Sequence, residues 1–183
     1  MTDRTEDRRV TKSKKAILAA MYSLLEENSF QKISVNDICA RSQLSRSTFY
    51  AHFEDKYDLM RFALEALNEE INNVARELEP RDRLKAVLQS IYDNSTIYKN
   101  LFMEYTNTEL ATMFQTFFTN LFSEQLRQKE AQGGLIAGST EFTAVFYSGG
   151  VASSIEHWIR KGYPASVSQL ADSLHMVLKD ILT

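Results

Sequence analysis

The sequence predicts an all-α protein of about nine helices, with an N-terminal three-helix head and a larger helical C-terminal domain. Only 2 prolines and 6 glycines interrupt the 183 residues. Apolar residues recur at helical spacing along most of the chain, whereas sustained alternation, which indicates strands, is not seen. A chain of this length can bury a proper core as one domain or as a small domain joined to a larger one.

The first helix is predicted from a single apolar stripe. Its members recur at helical spacing and are Ile17, Ala20, Met21, Leu24 and Leu25. Residues 1 to about 9 are polar and charged, and we expect them to form a flexible tail that is solvated or reaches a minor groove. The stripe predicts a helix that carries the segment following it.

Residues 34–56 show the pattern of two short helices separated by a tight break. Ser34 and Ser45 are suitable N-caps, because a serine hydroxyl accepts hydrogen bonds from the free N–H groups of a first helical turn. In the second helix Phe49 and Phe53 are predicted to face the core. The residues predicted to face outward are Arg46, Ser47, Thr48 and Tyr50. In a helix-turn-helix these first residues of the second helix meet base edges in the major groove.

This pattern resembles the DNA-binding domain of the TetR/AcrR family over about Lys12 to Leu67. The resemblance includes the entry into the second helix, the caps and aromatic positions around Ser45, and the start of a fourth helix. It implies major-groove contacts from Ser45, Arg46, Ser47, Thr48 and Tyr50, with Arg46 as the reader of guanine. It also implies phosphate contacts from Ser34, His52 and Lys56.

One position departs from the family pattern. Glycine is usual in the turn between the two helices, whereas this chain has Gln43. Gln43 is therefore predicted to adopt a left-handed backbone conformation at a cost of roughly 1 kcal/mol.

The charge distribution suits a sequence-specific DNA-binding protein, although the net charge is -3. Residues 1–56 carry 10 Lys and Arg against 8 Asp and Glu, and the remainder carries 11 against 16. A locally basic face can meet phosphate while an acidic remainder limits nonspecific adhesion. A difference of this size is also compatible with chance.

The single cysteine, Cys39, excludes an intrachain disulfide and favours a reducing compartment. Cys39 lies on the apolar side of its helix and is predicted to pack in the core rather than to sense redox state. No apolar run approaches the length of a membrane span, and the charged N-terminus does not resemble a secretory signal. We therefore expect a cytoplasmic protein that does not bind membranes.

A long fourth helix is predicted from about 55 to 78, capped by Asp55 and ended by Pro80. It divides the predicted DNA-binding domain, residues 1–56, from a regulatory and dimerisation domain, residues 57–183. Further helices are predicted at about 80–93, 95–106 and 108–131, followed by a glycine-containing loop at 132–138.

Aromatic and methionine residues are dense in this middle part of the chain. An aromatic stripe at helical spacing is typical of core packing, and the alternative is the wall of a cavity for a small-molecule effector. The candidate ligand-binding residues are Phe102, Met103, Phe114, Phe117, Phe118, Phe146 and His157. For His157 the competing interpretation is a partly buried helix histidine with a local partner.

Two helices, at about 139–161 and 166–182, complete the chain. The first has two apolar faces and interior glycines, which predicts close approach by another helix or by a ligand. The second has one apolar face and a capping box of Ser166 and Gln169. By resemblance to the family these helices form a dimer bundle. The predicted interface residues are Gly149, Gly150, Ser153, Leu170, Leu174, Val177, Leu178 and Ile181.

The sequence shows no catalytic constellation, cofactor-binding motif or metal-ligand spacing. The expectation is a non-enzymatic transcriptional regulator that binds an inverted-repeat DNA operator as a homodimer. By resemblance it is a repressor controlled by a small-molecule effector or a co-regulator protein. Residues 147–164 resemble a C-terminal subtype that includes an activator of dihydroxyacetone metabolism. The alternatives are therefore an activator and a partner-binding adaptor that does not read DNA.

Overall fold

The structure is a computed structural model that describes residues 3–75, 78–102, 108–136 and 138–182, with the backbone alone at 3–9, 70–75, 108 and 180–182. Within these residues the chain forms nine α-helices and one short 3-10 helix, Phe30–Lys32. The helices are α1 Asp3–Glu27, α2 Val35–Ser42, α3 Arg46–Tyr50, α4 Lys56–Ala75, α5 Pro80–Asp93, α6 Ser95–Phe102, α7 Thr108–Ala131, α8 Thr140–Arg160 and α9 Val167–Leu182. The predicted all-α class is confirmed.

Helix boundaries follow the caps and breakers in the sequence. Pro80 opens α5, where a missing N–H costs nothing. Ser139 caps α8 by accepting a hydrogen bond from the N–H of Phe142. Ser166 and Gln169 form the predicted capping box, with backbone N–H donors 2.9 and 3.2 Å from the side-chain oxygens. These local signals position the C-terminal helices correctly.

The expected flexible tail before residue 10 is wrong, because α1 already begins at Asp3. The segment contains no glycine or proline, and its acidic residues Asp3, Glu6 and Asp7 lie in the first two turns of the helix. Both features favour continuation of a helix towards its N-terminus. The polar composition of this segment is therefore compatible with a helix.

The chain divides into two compact units, which we describe separately. The first contains the described residues up to Ala66 and those of α6 from Thr96 on. The second contains described residues 67–95 and those from α7 to α9. Helix α4 contributes residues to both units.

In the first unit, α1, α2 and α3 pack around an apolar core, and Asn100 of α6 donates to the carbonyl of Leu25 over 2.8 Å. Cys39 is buried, as predicted, and burial raises the pKa of its thiol. The fully or nearly buried side chains include Ile17, Met21, Leu25, Phe30, Ile38, Phe49, Phe53 and Leu59. This core supports the two helices of the predicted DNA-binding motif.

The turn of the motif contains the predicted left-handed residue. Gln43 has φ 57° and ψ 31° and ends α2. Its N–H donates to the carbonyl of Ala40, and the N–H of Leu44 reaches back to the carbonyl of Cys39 over 3.1 Å. The backbone geometry matches a glycine-type helix ending, although a Cβ is present.

Replacing Gln43 with glycine is expected to stabilise the protein. The left-handed conformation strains a residue with a Cβ, so Gln43→Gly should gain about 0.5–1 kcal/mol of unfolding free energy. The matched control is Ala40→Gly, at an exposed position inside α2, which should lose about 1 kcal/mol. Thermal denaturation compares the two variants. Equal destabilisation by both would show that Gln43 is unstrained.

In the second unit α7 packs against α8, and α5 packs against α9. Trp158 and Tyr163 close the α8–α9 corner with ring centroids 4.7 Å apart, and the Trp158 indole N–H donates to the carbonyl of Ala165 over 2.7 Å. The buried side chains of this unit are Leu88, Ile91, Leu110, Phe114, Phe122, Leu126, Ala144, Ser148, Val151, Ile155, Trp158, Ile159, Val167, Ala171, Leu174 and Leu178. One apolar face of α8 and the apolar face of α9 contribute to this core.

Candidate nucleic-acid interface

Two serine caps fix the entry of both helices of the motif. The Ser34 hydroxyl accepts from the N–H of Asp37 over 3.2 Å, and the Asp37 carboxylate accepts from the N–H of Ser34 over 2.8 Å. The Ser34 hydroxyl also donates to the Asp37 carboxylate over 2.6 Å, and this bond, together with that from the Ser34 N–H, holds the pKa of Asp37 below its usual range. At α3 the Ser45 hydroxyl accepts from the N–H of Thr48 over 3.1 Å. Each helix therefore begins at a defined residue.

The first turn of α3 presents polar side chains to solvent. Ser45, Arg46, Ser47 and Tyr50 are exposed, and Thr48 is half-buried. The Arg46 guanidinium lies 5.7 Å from the centroid of the Tyr50 ring. Among the described residues no carboxylate forms an ion pair with Arg46. Its donors are thus available on the surface predicted to enter the major groove.

The opposite side of α3 is anchored in the core. Phe49 is fully buried, and its ring lies 5.8 Å from that of Phe53, which contacts Phe62 at 5.5 Å. The ammonium of Lys14 on α1 lies 5.1 Å from the Phe62 ring. This aromatic packing holds α3 with its polar face outward.

A bidentate ion pair ties the end of α2 to the end of α1. The Arg41 guanidinium donates to both Glu27 carboxylate oxygens, at 3.0 and 2.8 Å, and also to the Ser23 hydroxyl. The Arg41 hydrogen bonds lower the pKa of Glu27. Sequence reasoning missed this pair, because Arg41 and Glu27 are 14 residues apart in different helices.

The three predicted phosphate contacts differ in their surroundings. Ser34 is exposed and serves as a helix cap, and His52 is half-buried beside Phe53. Lys56 donates to three backbone carbonyls of the segment before α2. Phosphate binding by Lys56 therefore requires that it gives up one of these bonds.

Comparisons with known proteins agree with this geometry. Residues 17–62 match the family described as bacterial regulatory proteins of the tetR family, and residues 79–180 match a transcriptional regulator C-terminal region named TetR_C_8. The chain belongs to the TetR family of regulators. Membership of a family of regulatory proteins also confirms that the chain is a regulator and not an enzyme.

One similar protein is the HTH-type dhaKLM operon transcriptional activator DhaS of Lactococcus lactis subsp. lactis strain IL1403, with 26% identity over 119 residues. The alignment covers 64% of this chain and 63% of the activator, which is less than two thirds of that relative. The resemblance of the C-terminal part to a subtype containing such an activator is confirmed.

Two solved structures show the same fold. A TetR transcriptional regulator from Streptococcus agalactiae 2603V superposes with a TM-score of 0.67 at 22% identity, covering 97% of this chain and 99% of the other. The dihydroxyacetone kinase operon activator DhaS gives 0.61 at 21% identity, covering 92% and 96%. At these identities the likeness concerns the fold alone.

The predicted ligand-binding residues of this TetR-family chain are divided between the two units. Phe102 belongs to the first unit, whereas Phe114, Phe117 and Phe118 lie on α7 in the second. Phe114 is buried, and the rings of Phe117 and Phe118 are 5.5 Å apart. Met103 lies outside the described residues. An aromatic stripe thus marks α7, partly in the core.

Two further candidates for ligand binding lie on the surface of α8. Phe146 is 73% exposed, and His157 is exposed, which corrects the expectation of a partly buried histidine. Both share a helical face with Phe142, which is 76% exposed, and with the exposed Gly150 and Ser153. We therefore assign Phe146 and His157 to this surface, called here the α8 outer face, rather than to a cavity wall.

The predicted dimer residues separate into an exposed and a buried group. Gly150, Ser153 and Val177 are exposed, and Gly149 and Leu170 are half-buried. Leu174 and Leu178 are buried within the protomer, which corrects their assignment to an interface. The side chain of Ile181 lies outside the described residues. Among the described residues, the second apolar face of α8 therefore remains exposed.

Sequence reasoning also missed a polar network between α7 and α8. The Gln115 amide donates to the hydroxyl of Ser148 over 3.0 Å, and the hydroxyls of Thr119 and Ser148 are 2.8 Å apart. Ser148 is fully buried and donates to the carbonyl of Val145. Because these groups satisfy one another, the network fixes the packing of α7 against α8.

The part of the chain that the structure describes contains neither a candidate membrane span nor a candidate metal cluster. No helix there is long and apolar enough to cross a bilayer. Nor do three or more His, Cys, Asp or Glu side chains there come together as a metal site.

Proposed function

We propose that this TetR-family regulator binds an inverted-repeat DNA operator in the cytoplasm as a homodimer. The observation that carries the proposal is the exposed first turn of α3, where Arg46 has no ion-pair partner among the described residues and lies against Tyr50. An Arg at this position supplies two donors for the O6 and N7 atoms of guanine. Ser45, Ser47 and Thr48 add short hydroxyl donors beside it.

The α8 outer face supports the homodimer. Phe142, Val145 and Phe146 expose large apolar side chains in a row that continues through Gly150. Large exposed apolar patches in soluble proteins mark interaction sites, and a two-fold axis pairs such a face with itself. In a helix-turn-helix dimer the same symmetry places two α3 helices on two half-sites.

We assign a separate function to each of the two predicted domains. Residues 1–56 bind DNA, and residues 57–183 dimerise and respond to a small-molecule effector or a co-regulator protein. Helix α4 contributes residues to both units and so is the element through which a change in one affects the other. Regulation is then a shift between conformations that differ in operator affinity.

The sign of regulation has two candidates. Resemblance to the family favours a repressor released by its effector. Similarity to DhaS, whose name describes an operon activator, favours activation. A reporter placed behind the operator and its native promoter, with and without this chain, distinguishes the two by the direction of change.

Selection of bound fragments from a random duplex library tests the proposal itself. We expect enrichment of one inverted repeat by the full-length protein, and loss of the enrichment in Arg46→Ala. If no repeat is enriched while a protein partner binds, the chain is a partner-binding adaptor and the proposal is wrong.

A further inference from the structure

Lys56 places a positive charge where a helix disfavours it. It is the first residue of α4, at the positive end of the backbone dipole. Asp55 caps the helix and accepts from the N–H groups of Tyr57 and Asp58, both over 2.8 Å. A lysine at this position therefore needs stabilising contacts from another element.

The structure shows those contacts in the segment before α2. The Lys56 ammonium donates to the carbonyl oxygens of Phe30, Gln31 and Ile33 over 2.8, 3.2 and 2.9 Å. It also lies 4.6 Å from the centroid of the Phe30 ring and 5.7 Å from that of Tyr57. We call these three carbonyls and the Phe30 ring the lysine cradle. A lysine ammonium has three N–H donors, and the cradle accepts from all of them.

The lysine cradle lies immediately before the helix-turn-helix. The carbonyls belong to the 3-10 helix Phe30–Lys32 and to Ile33, and the next residue, Ser34, caps α2. Carbonyls that converge on one point repel each other unless a donor lies between them. Lys56 thus joins the start of α4 to the start of α2.

We propose that Lys56 is a positioning residue for DNA binding and not a ligand of phosphate. It holds the entry of α2 against α4, and through α2 it sets the position of α3. This inference rests on the proposed function as a DNA-binding regulator.

The variant Lys56→Met tests it, because methionine keeps a long apolar stem over Phe30 but removes the charge and all three donors. Operator affinity, measured well below the unfolding temperature, should fall about tenfold, equivalent to ~1.4 kcal/mol. The unfolding temperature should fall by roughly 5 °C. The slope of log affinity against log salt should match the wild type, since no phosphate contact is lost.

Two further variants separate positioning from charge. Lys56→Arg keeps the charge and several donors and should recover most of the operator affinity. Lys161→Met removes an exposed lysine at the end of α8 and should change neither affinity nor unfolding temperature. Amide hydrogen exchange across residues 30–42 should accelerate in Lys56→Met alone.

A direct phosphate contact gives a different result. If Lys56→Met lowers the salt slope by about 0.9 per protomer, leaves the unfolding temperature unchanged and leaves exchange at 30–42 unchanged, the inference is overturned. Unchanged operator affinity in Lys56→Met would also overturn it. If the wild-type protein selects no operator, the proposed function fails and the positioning role falls with it. A faster exchange in Lys56→Met would then establish only the lysine cradle.

Discussion

Arg46→Ala is expected to abolish most discrimination between the selected operator and scrambled duplex DNA. A bidentate arginine–guanine pair contributes about 1–3 kcal/mol of discrimination, and a dimer makes the contact twice. The side chain is exposed and has no ion-pair partner among the described residues, so its removal should leave the fold intact. The discrimination is measured as the ratio of the affinity for operator to the affinity for scrambled DNA, both at one salt concentration.

Arg61→Ala is the matched control for this prediction. Arg61 is also exposed but forms an ion pair with Asp58 over 3.1 Å on α4. Its loss should leave the ratio of operator to scrambled affinity unchanged. If Arg46→Ala also preserved the ratio while both variants bound DNA, the role assigned to Arg46 would be contradicted.

Gly150→Leu is expected to convert the dimer to monomers. A Cβ on Gly150 would meet no described atom within 4 Å apart from its chain neighbours and the adjacent backbone of its own helix, so the described protomer has room for the substitution. At a close helix contact between protomers the same side chain overpacks. Because two-fold symmetry introduces it twice, the cost is about 2–6 kcal/mol per dimer. Sedimentation measures the loss of dimer, and operator binding should fall with it.

Ala86→Leu provides the control, since Ala86 is an exposed small residue on α5. It should remain a dimer and bind the operator. A Gly150→Leu protein that also stayed dimeric and bound DNA, but no longer responded to its effector, would assign the α8 outer face to ligand binding.

The sequence predicted those features that depend on local signals. Caps such as Ser34 and Ser166, the proline that opens α5 and the left-handed Gln43 all act within one or two turns of their own position. The outward residues of α3 followed from the helical spacing of Phe49 and Phe53, which are both buried.

Features that depend on which element covers which could not be predicted. Periodicity shows that α9 has an apolar face, but not that α5 packs against α9 or that Leu174 and Leu178 are buried within the protomer. Likewise, periodicity shows that α8 has two apolar faces, but it does not show which of them is buried. The face that carries Phe146 is the exposed one. The lysine cradle joins residues 23 to 26 positions apart, and a charge at a helix start gives no signal of its partners.

The spacing of the two half-sites tests the central claim of a dimer that reads DNA with two α3 helices. Inserting about 5 base pairs between the half-sites rotates one by half a helical turn relative to the other, since a turn is about 10.5 base pairs. We expect this insertion to abolish binding of the dimer to both half-sites, because the two α3 helices can no longer reach them from the same side of the DNA. Operator affinity that is unchanged by the half-turn insertion would contradict the claim.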